Sequence, residues 1–364
     1  MPVLNRIAEF HEEMTRWRRE LHAHPETAFE EVWTSDFIAA RLAEIGVDKI
    51  ERGIAKTGIV ATIKGQGSSE RSIGLRADFD ALDITETTGK EWASTLPGKM
   101  HACGHDGHTT MLLGAAKYLA ETRNFDGTAV LIFQPAEENE GGGRVMVEEG
   151  LFERFPVDAV YGMHNRPGLA LGKMCMRAGP AMAGFDIFEI TIHGYGGHAA
   201  RPHTTIDPVV VQAHVVQALQ TIASRHTDPL DSVVVSITQV HGGDTWNVIP
   251  EKVVLRGTVR AFRTEVQDRT EATMSRLCRN VAAAFDASVD VRYERRYPPP
   301  VMGSEDFAFM LNERPGAYVN IGNGTGQDGG VMVHNPGYDF NDAALPHGAS
   351  FWARLIETLM PRAA

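Results

Sequence analysis

Apolar residues recur at helical spacing in two stretches close to the N-terminus. Between positions 4 and 22 the spacing is three or four residues, which predicts a helix with one packed face: Ile7, Phe10, Met14, Trp17 and Leu21. His24-Pro25 ends this helix, because the residue before a proline disfavours helical backbone. Residues 35–45 repeat the pattern and are predicted to form a second helix. Ser35 is its expected N-cap, and Gly46 follows its C-terminal end.

Strand patterns then alternate with helical ones. Residues 58–65 alternate apolar and polar, and residues 72–82 are predicted to form a second strand that runs into a turn. A helix is predicted from about Gly107 to Thr122. The unbroken apolar run at 128–133 indicates a strand buried on both faces, and another strand follows at 158–164. This order predicts an α/β domain with a mixed, largely parallel sheet.

The pattern changes near residue 180. Asp207-Pro208 is an N-cap with a proline in the first turn, and Thr264-Glu265 is expected to cap a second helix in similar style. The order β-α-β-β-α-β is that of a ferredoxin-like unit, and RRYPPP (295–300) is predicted to be a stiff linker out of it. We therefore expect residues 181–295 to form an inserted α+β domain that splits an α/β domain made of 1–180 and 296–364. The predicted elements of the insert are strand 185–193, helix 207–226, strands 232–241 and 252–262, helix 265–285 and strand 288–293.

Composition narrows the classes of function. A chain of 364 residues suits two domains, and a net charge of −12 without a Lys/Arg cluster argues against nucleic acid and anionic membranes as partners. No apolar run approaches the roughly 20 residues that span a bilayer, and the charged, amphipathic start is not a signal peptide. Three cysteines without paired spacing indicate a reducing compartment. We expect a cytoplasmic protein.

Metal-binding side chains follow the predicted strands. Cys103-x-His105 precedes a helix, Glu137-Glu138 follows the buried strand, His164 closes the next strand, and His334 follows a glycine-rich stretch. In open α/β sheets the loops at such strand ends converge on one crevice. Together these side chains suit two borderline-soft divalent ions.

Other interpretations of the same residues stay open from the pattern alone. A structural zinc knuckle needs a second close ligand pair, and none follows at the usual spacing. A cysteine nucleophile with a histidine base leaves the adjacent glutamates unexplained. Asp106 and His108 could be caps of the helix that begins beside them. Only the joint pattern favours a catalytic metal centre.

The chain resembles the metal-dependent N-acyl-amino-acid amidohydrolases, the group with hippurate hydrolase and the auxin-conjugate hydrolases. The resemblance covers nearly the whole chain in order and rests on several motifs: RRELHAHPETAFEE, GLRADFDAL, MHACGHDGHTTMLLGAA, FQPAEENEGG, GMHN, GGHAARPH, NVIP, GTVRAF, GSEDFAFM and HNPGYDFND. The chain departs from the family where Pro300 runs almost directly into Gly303, since a helix-length segment usually stands there. A true deletion would expose a flank of the catalytic domain.

The resemblance implies a fold, a set of site residues and an assembly. The fold is a catalytic α/β domain with a ferredoxin-like lid, through which a homodimer or homotetramer forms. Two divalent ions (Zn, Mn, Co or Ni) serve as cofactors, and a small N-acyl amino acid is the substrate. Glu137 is implied as the general base. The implied metal ligands are Cys103, His105, Glu138, His164 and His334, and the implied substrate-binding residues are His198, Asn247 and Arg260.

These roles lead to mechanistic expectations. On extended backbone Glu137 and Glu138 point in opposite directions, so one ligates while the other faces the attacking water. Asp78 or Asp80 could orient a ligand imidazole. Arg260 is the candidate for the substrate carboxylate, although strand-face arginines are usually only solvated. His198 could donate to the oxyanion or be an ordinary loop histidine.

Two rival functions remain. A dipeptidase or carboxypeptidase could use the same scaffold, and a non-catalytic relative could keep the fold and bind ligand without turnover. Metal content together with a substrate panel separates them.

Overall fold

The described residues form two compact units. The computed structural model describes residues 2–138, 140–176, 184–297, 305–327 and 329–362. The first unit consists of the chain up to residue 176 together with the chain from 309 onward, and the second unit is the stretch between them. No helix within these ranges is both long enough and apolar enough to cross a membrane.

A seven-stranded mixed sheet forms the centre of the first unit. Its strand order is β1-β2-β4-β3-β5-β13-β6. The four central strands β4, β3, β5 and β13 are parallel, and the three outer pairings are antiparallel. The strands of this sheet are β1 (Lys49–Ile54), β2 (Gly58–Lys64), β3 (Ser72–Asp78), β4 (Thr128–Gln134), β5 (Ala159–Pro167), β6 (Met174–Cys175) and β13 (Gly316–Gly324).

Strand register positions the chemistry at one edge of the sheet. Asp78 at the end of β3 is paired with Gln134 at the end of β4. On the other side, β3 pairs with β5, in which His164 lies two residues beyond the partner of Arg76. The carboxyl ends of these parallel strands, and the loops that follow them, therefore meet at the same place. As predicted, the apolar run in β4 is buried along nearly its whole length.

Helices α3, α4 and α5 of the first unit lie against this sheet, and α1, α2 and α10 pack against α4. Helix α4 is the most buried of them, and α10 packs closely against it where Gly348 lies beside Met111 and Ala349 beside Gly114. The helices of the first unit are α1 (Asn5–Glu9), α2 (His11–Ala23), α3 (Val32–Ile45), α4 (His105–Thr122), α5 (Gly142–Glu148), α6 (Leu151–Arg154) and α10 (Leu345–Leu359). A further helix, α9 (Phe307–Glu313), lies where the chain returns from the second unit to the first.

The second unit has the ferredoxin-like order that the sequence predicts. Its antiparallel sheet has the order β12-β7-β11-β9, and α7 and α8 share a core with it. Asp207 caps α7 as expected, because its side chain accepts a hydrogen bond from the Val209 N–H. The elements are β7 (Gly184–His193), β8 (Gly197–His198), α7 (Pro208–Arg225), β9 (Val233–His241), β10 (Val248–Ile249), β11 (Lys252–Ala261), α8 (Thr264–Ala283) and β12 (Ser288–Tyr297).

Several local predictions are wrong. The N-terminal helix is interrupted at Phe10, and α3 begins three residues before Ser35, which is buried inside the helix instead of capping it. The sequence patterns also do not predict strand β1. Thr264 lies in the first turn of α8, whose N-cap is Arg263.

The predicted linker RRYPPP also needs correction. Its first three residues (295–297) belong to β12, because they extend the ladder with β7. Residues 298–300, and the short connection from Pro300 to Gly303, lie outside the described residues.

Candidate metal centre

The five implied metal ligands and Glu137 lie together in the first unit. They form three overlapping groups, and within each group the candidate ligand atoms lie within 4.8 Å of one another. Cys103 belongs to two groups and so does His105, so the three groups form one continuous cluster. The groups are Cys103–His105–His164, Cys103–Glu138–His334 and His105–Glu137–Glu138.

Cys103 lies in the segment that leads into α4, and contacts to this segment hold its backbone in place. Gly104 has φ +92°, and a Cβ there would lie 2.4 Å from both Asn165 Nδ2 and Tyr338 Oη. Only glycine fits this close approach without strain. The Asn165 amide donates to the Cys103 carbonyl at 2.6 Å, and its own oxygen accepts from the Tyr338 hydroxyl at 2.8 Å. The cysteine backbone is therefore fixed by side chains from β5 and the C-terminal loop.

Asp80 orients His105. The Nδ1–H of His105 donates to the Asp80 carbonyl at 2.9 Å and lies 3.1 Å from its carboxylate. The opposite nitrogen, Nε2, is buried and makes no hydrogen bond to any described residue. The second Asp80 carboxylate oxygen accepts from the Glu138 N–H at 2.9 Å. Asp80 thus fixes the ring of one candidate ligand and the backbone of another, a role that the sequence left open between Asp78 and Asp80.

His164 and His334 also present one ring nitrogen to the cluster. The Nδ1–H of His164 donates to the Asn165 carbonyl at 2.6 Å, which leaves its Nε2 3.3 Å from Cys103 Sγ. His334 Nε2 lies 3.0 Å from Glu138 Oε1. The His334 backbone has φ +63°, and its N–H donates to the Ala102 carbonyl at 2.8 Å. The loop that carries His334 is thereby attached to the segment that carries Cys103.

His108 is close to the cluster, but both of its ring nitrogens are occupied. Its Nδ1–H donates to Asp78 Oδ1 at 2.6 Å, and its Nε2 accepts from the Asn165 N–H at 2.9 Å. Burial lowers the pKa of His108 to about 4, in keeping with a neutral ring. The N-cap of α4 is Gly104, so the expectation that His108 could cap this helix is wrong, whereas the Asp106 carboxylate accepts from the Gly107 N–H in the first turn at 2.9 Å.

Glu137 and Glu138 lie in a turn. The expectation of opposite directions rested on extended backbone, whereas Ala136 has φ +52° and both glutamates lie in the turn that follows β4. A carboxylate oxygen of each glutamate is therefore within 4.8 Å of a His105 nitrogen. Both carboxylates reach the same cluster, and geometry alone does not divide the roles of ligand and base between them.

The charges in this cluster call for a cation. Burial and then the carboxylates of Glu138 and Glu137 raise the pKa of the Cys103 thiol well above its usual range. Burial disfavours a charged His105, but the Asp78 and Asp80 carboxylates outweigh it and raise the pKa of His105 to about 10. Divalent metal ions would supply the missing positive charge and would favour the thiolate. His105 Nε2, which has no hydrogen-bond partner in the described part of the chain, and the soft sulfur and nitrogen donors fit such ions.

This environment also weighs against a cysteine nucleophile. Although Cys103 Sγ lies close to His164, a thiolate is the reactive form, and burial beside carboxylates disfavours it. The structural zinc knuckle fits poorly as well, because the cluster is assembled from four separate parts of the first unit.

The implied substrate-binding residues all lie in the second unit. The β8–β10 ribbon pairs His198 with Val248, and the Ala199 N–H donates to the Asn247 carbonyl at 3.0 Å. His198 Nδ1 accepts from the Ala200 N–H at 3.1 Å, so its Nε2 carries the hydrogen and can donate. Both His198 and Asn247 are exposed.

Arg260 has a more specific environment than a solvated strand-face arginine. Its guanidinium carbon lies 3.9 Å from the ring centroid of Phe185, its partner across the β7–β11 pairing. No carboxylate among the described residues lies within ion-pair distance of it, and its burial lowers its pKa. The stacked guanidinium is therefore available to an anionic ligand.

The sequence patterns do not predict the hydrogen bonds that support the cluster. The Asp78–His108–Asn165 chain links β3, α4 and β5, and Glu31 accepts a hydrogen bond from the Ala136 N–H at 3.0 Å. Each of these contacts joins parts of the chain far apart in sequence. A signal existed for Asp78 and Asn165, which are polar residues in largely buried strands, whereas Glu31 and His108 lie at or in helices and carried no such signal.

Comparison with known proteins gives a consistent result. The sequence pattern described as peptidase family M20/M25/M40 matches residues 74–358. The hippurate hydrolase of Campylobacter jejuni is 37% identical over 384 residues, which cover 98% of each chain. The IAA-amino acid hydrolase ILR1-like 2 of Arabidopsis thaliana is 40% identical over 376 residues, covering 94% of this chain and 84% of the relative.

A solved structure agrees with these matches. The crystal structure of the Bacillus subtilis YXEP protein, a dinuclear metal-binding peptidase from the M20 family, superposes with a TM-score of 0.82 at 33% identity. The superposition covers 97% of this chain and 99% of that one.

Proposed function

Because the chain belongs to peptidase family M20/M25/M40, we propose that it is a metal-dependent amidohydrolase that cleaves the amide bond of N-acyl-L-amino acids. The observation that carries this proposal is the cluster in which two glutamates, three histidines and a cysteine lie together. Relatives named for hydrolysis of hippurate and of IAA-amino acids support this substrate class.

The cluster would hold two divalent ions, Zn, Mn, Co or Ni. When bound, such ions polarise a carbonyl and lower the pKa of a water molecule. The proposed ligands are Cys103, His105, Glu138, His164 and His334. Asp80 and the Asn165 carbonyl hold the Nδ1–H groups of His105 and His164, so that the Nε2 of each ring is the nitrogen presented to an ion.

Glu137 is the proposed general base. It takes a proton from the attacking water and delivers it to the nitrogen of the leaving amino acid. Its side chain is almost fully buried beside Glu138 and His105, a position from which it can reach the same space as the ligands. The assignment of Glu138 as ligand and Glu137 as base follows the family resemblance.

Residues of the second unit would recognise the substrate. Arg260 would bind the free carboxylate of the amino acid, and its stacking on Phe185 restricts the guanidinium before the substrate arrives. The Nε2–H of His198 would donate to the oxygen on which negative charge develops. Asn247, next to His198 through the β8–β10 ribbon, would supply a further polar contact.

We propose that the second unit also mediates assembly into homodimers or homotetramers. It carries fully exposed apolar side chains at Leu230 and Trp246, and aromatic residues are enriched in protein interfaces. Sedimentation velocity of the wild type and of Trp246→Ser tests this proposal. An unchanged monomer in both samples would contradict it.

A substrate panel tests the proposed activity. Metal-loaded protein is assayed for release of free amino acid from hippurate, N-acetyl amino acids, indole-acetyl amino acids, dipeptides and longer peptides. We expect turnover of the N-acyl amino acids. Turnover of peptides alone would favour a dipeptidase or carboxypeptidase, and ligand binding without turnover would indicate a non-catalytic relative.

Glu137→Gln tests the role of the base, with Glu140→Gln as the matched control. Glu140 is an exposed carboxylate three residues further along the same loop. Loss of a general base should lower kcat by about 10²–10⁴-fold and leave the metal content near that of the wild type, whereas Glu140→Gln should change neither. A Glu137→Gln variant that keeps more than about a tenth of kcat contradicts the role.

A further inference from the structure

The turn that carries Glu137 and Glu138 has an unusual backbone. Ala136, the residue before them, has φ +52°, a left-handed conformation that costs energy for any residue with a Cβ. Ala136 is also fully buried, so its N–H and carbonyl need partners within the protein. The contacts that satisfy Ala136 therefore decide whether this turn keeps its shape.

Hydrogen bonds among the described residues hold the turn. The Ala136 carbonyl accepts from the Gly142 N–H at 2.9 Å, and the Glu138 N–H donates to Asp80 at 2.9 Å. The Ala136 N–H donates to Glu31 Oε1 at 3.0 Å. Glu31 is the residue that precedes α3, so this third contact comes from a part of the chain 105 residues away.

The surroundings of Glu31 hold its carboxylate in one orientation. The side chain is fully buried, and its second oxygen, Oε2, accepts from the Thr57 hydroxyl at 2.8 Å. Burial followed by the nearby Asp80 carboxylate raises the pKa of Glu31 to about 7. Burying the ionised form of this carboxyl group is unfavourable. The structure nevertheless keeps Glu31 buried, where it accepts the hydrogen bond from the Ala136 N–H.

We propose that Glu31 is a positioning residue, whose buried carboxyl holds the left-handed backbone of Ala136 and thereby aims Glu137 and Glu138 into the cluster. Glu31 does not touch the reacting atoms in this proposal. It acts through the backbone of the residue before the base. The proposal rests on the proposed function of Glu137 and Glu138, and the experiment separates the two.

The experiment compares Glu31→Met with Glu31→Gln. Methionine keeps the length and fills the space but removes both acceptors, which leaves the Ala136 N–H buried without a partner. Glutamine can accept from Ala136 through its oxygen and donate to the Thr57 hydroxyl through its nitrogen. We expect Glu31→Met to lower kcat by about 100-fold, the order of loss that a displacement of about 1 Å produces, with little change in KM. Glu31→Gln should stay close to the wild type.

Glu26→Ala is the matched control for loss of stability alone. The Glu26 carboxylate accepts from the Trp33 and Thr34 N–H groups in the first turn of α3, at 3.1 and 2.8 Å, and makes no hydrogen bond to the described residues of the turn at Ala136. Its removal should lower the unfolding temperature but leave kcat unchanged. If Glu31→Met does not fold, Thr57→Val removes the hydrogen bond to Oε2 alone and should lower kcat by less, again at constant KM.

A second readout does not depend on turnover. The visible absorption spectrum of the Co²⁺-loaded protein reports the arrangement of ligands, and Glu138 moves with the same turn. We expect an altered spectrum in Glu31→Met and the wild-type spectrum in Glu31→Gln and Glu26→Ala. Wild-type kcat and spectrum in Glu31→Met overturn the proposal. An equal loss in Glu31→Gln also overturns it, because charge and not hydrogen bonding would then be the cause.

The proposed function and the positioning role of Glu31 can be refuted independently. If the wild type hydrolyses no N-acyl amino acid, the proposed substrate class is wrong, while the Co²⁺ spectra still decide the role of Glu31. If Glu137→Gln is inactive and Glu31→Met is fully active with an unaltered spectrum, the proposed function stands and the positioning role falls.

Discussion

The stability of the first unit should depend on pH through His22, which lies in a buried charge network. Its Nδ1–H donates to Asp106 Oδ2 at 2.7 Å, and its Nε2 lies 3.4 Å from Glu86. Burial opposes a charged imidazole, as does the nearby Arg18, but the hydrogen bonds to the two carboxylates prevail and raise the pKa of His22 to about 9. His22 is therefore protonated in the folded protein at neutral pH.

The magnitude follows from this pKa. Against the usual histidine value of 6.5, a pKa of about 9 corresponds to about 3 kcal/mol of stabilisation, at about 1.4 kcal/mol for each tenfold change in proton affinity. The folded state holds the proton more tightly than the unfolded state. The stabilisation is therefore fully present below about pH 6.5 and is lost as the pH rises through about 9.

His22→Gln tests this dependence because glutamine can still donate to Asp106 but carries no charge. Urea unfolding is followed by tryptophan fluorescence at about pH 6 and about pH 9.5. This signal comes mainly from the first unit, which contains four of the five tryptophans: Trp17, Trp33, Trp92 and Trp352. The quantity compared is the free energy of unfolding of the wild type minus that of His22→Gln. We expect this difference to be about 3 kcal/mol larger at the lower pH than at the higher pH.

Asp106→Asn assigns the effect to the pair that His22 forms with Asp106. The free energies of unfolding are compared between the single variant Asp106→Asn and the double variant that carries His22→Gln as well. Their difference should change much less with pH than the difference between the wild type and His22→Gln, because only the longer contact to Glu86 remains. A difference between the wild type and His22→Gln that is independent of pH, or that grows toward high pH, would refute the reasoning.

Three further predictions concern the metal centre and the substrate. Cys103 should resist a thiol reagent in the metal-loaded protein and react after chelation, more slowly than exposed Cys175 because its thiol is buried and its pKa is raised, with Cys175 labelled in both states as an internal control; equal labelling of Cys103 in both states contradicts metal binding by its sulfur. Asp80→Ala should weaken metal affinity by about 10–100-fold in a chelator competition, because the His105 Nδ1–H loses the nearby carboxylate and the Glu138 N–H loses its acceptor, although the backbone carbonyl of residue 80 remains; unchanged affinity would show that the carboxylate contacts are dispensable. Arg260→Ala, or a substrate amide in place of the carboxylate, should each lower kcat/KM by about 10–100-fold, and the two losses should not add; additive losses would show that Arg260 does not meet the carboxylate.

Local sequence patterns predicted those helices and strands that are specified by neighbouring residues. The alternation in β7, the apolar run of β4 and the Asp207-Pro208 start of α7 are each specified by neighbouring residues. The clustering of metal-binding side chains was also predictable, because parallel strands bring their carboxyl ends to one edge wherever each strand lies in the sheet. The polar residues after the strands therefore pointed to one site before any strand order was known.

The tertiary structure decided which partner each of these side chains meets. The Asp80 carboxylate lies beside His105, whereas the Asp78 carboxylate accepts from His108. This pairing depends on how β3 lies against α4, a relation between segments that no local pattern encodes. The turn at Ala136 shows the same limit, since its left-handed backbone is stabilised by Glu31, from a distant helix start. Local spacing specifies helices and strands because its causes act within a few residues. The shape of the cluster depends on hydrogen bonds between segments that lie far apart in the chain, and these exist only once the sheet has assembled.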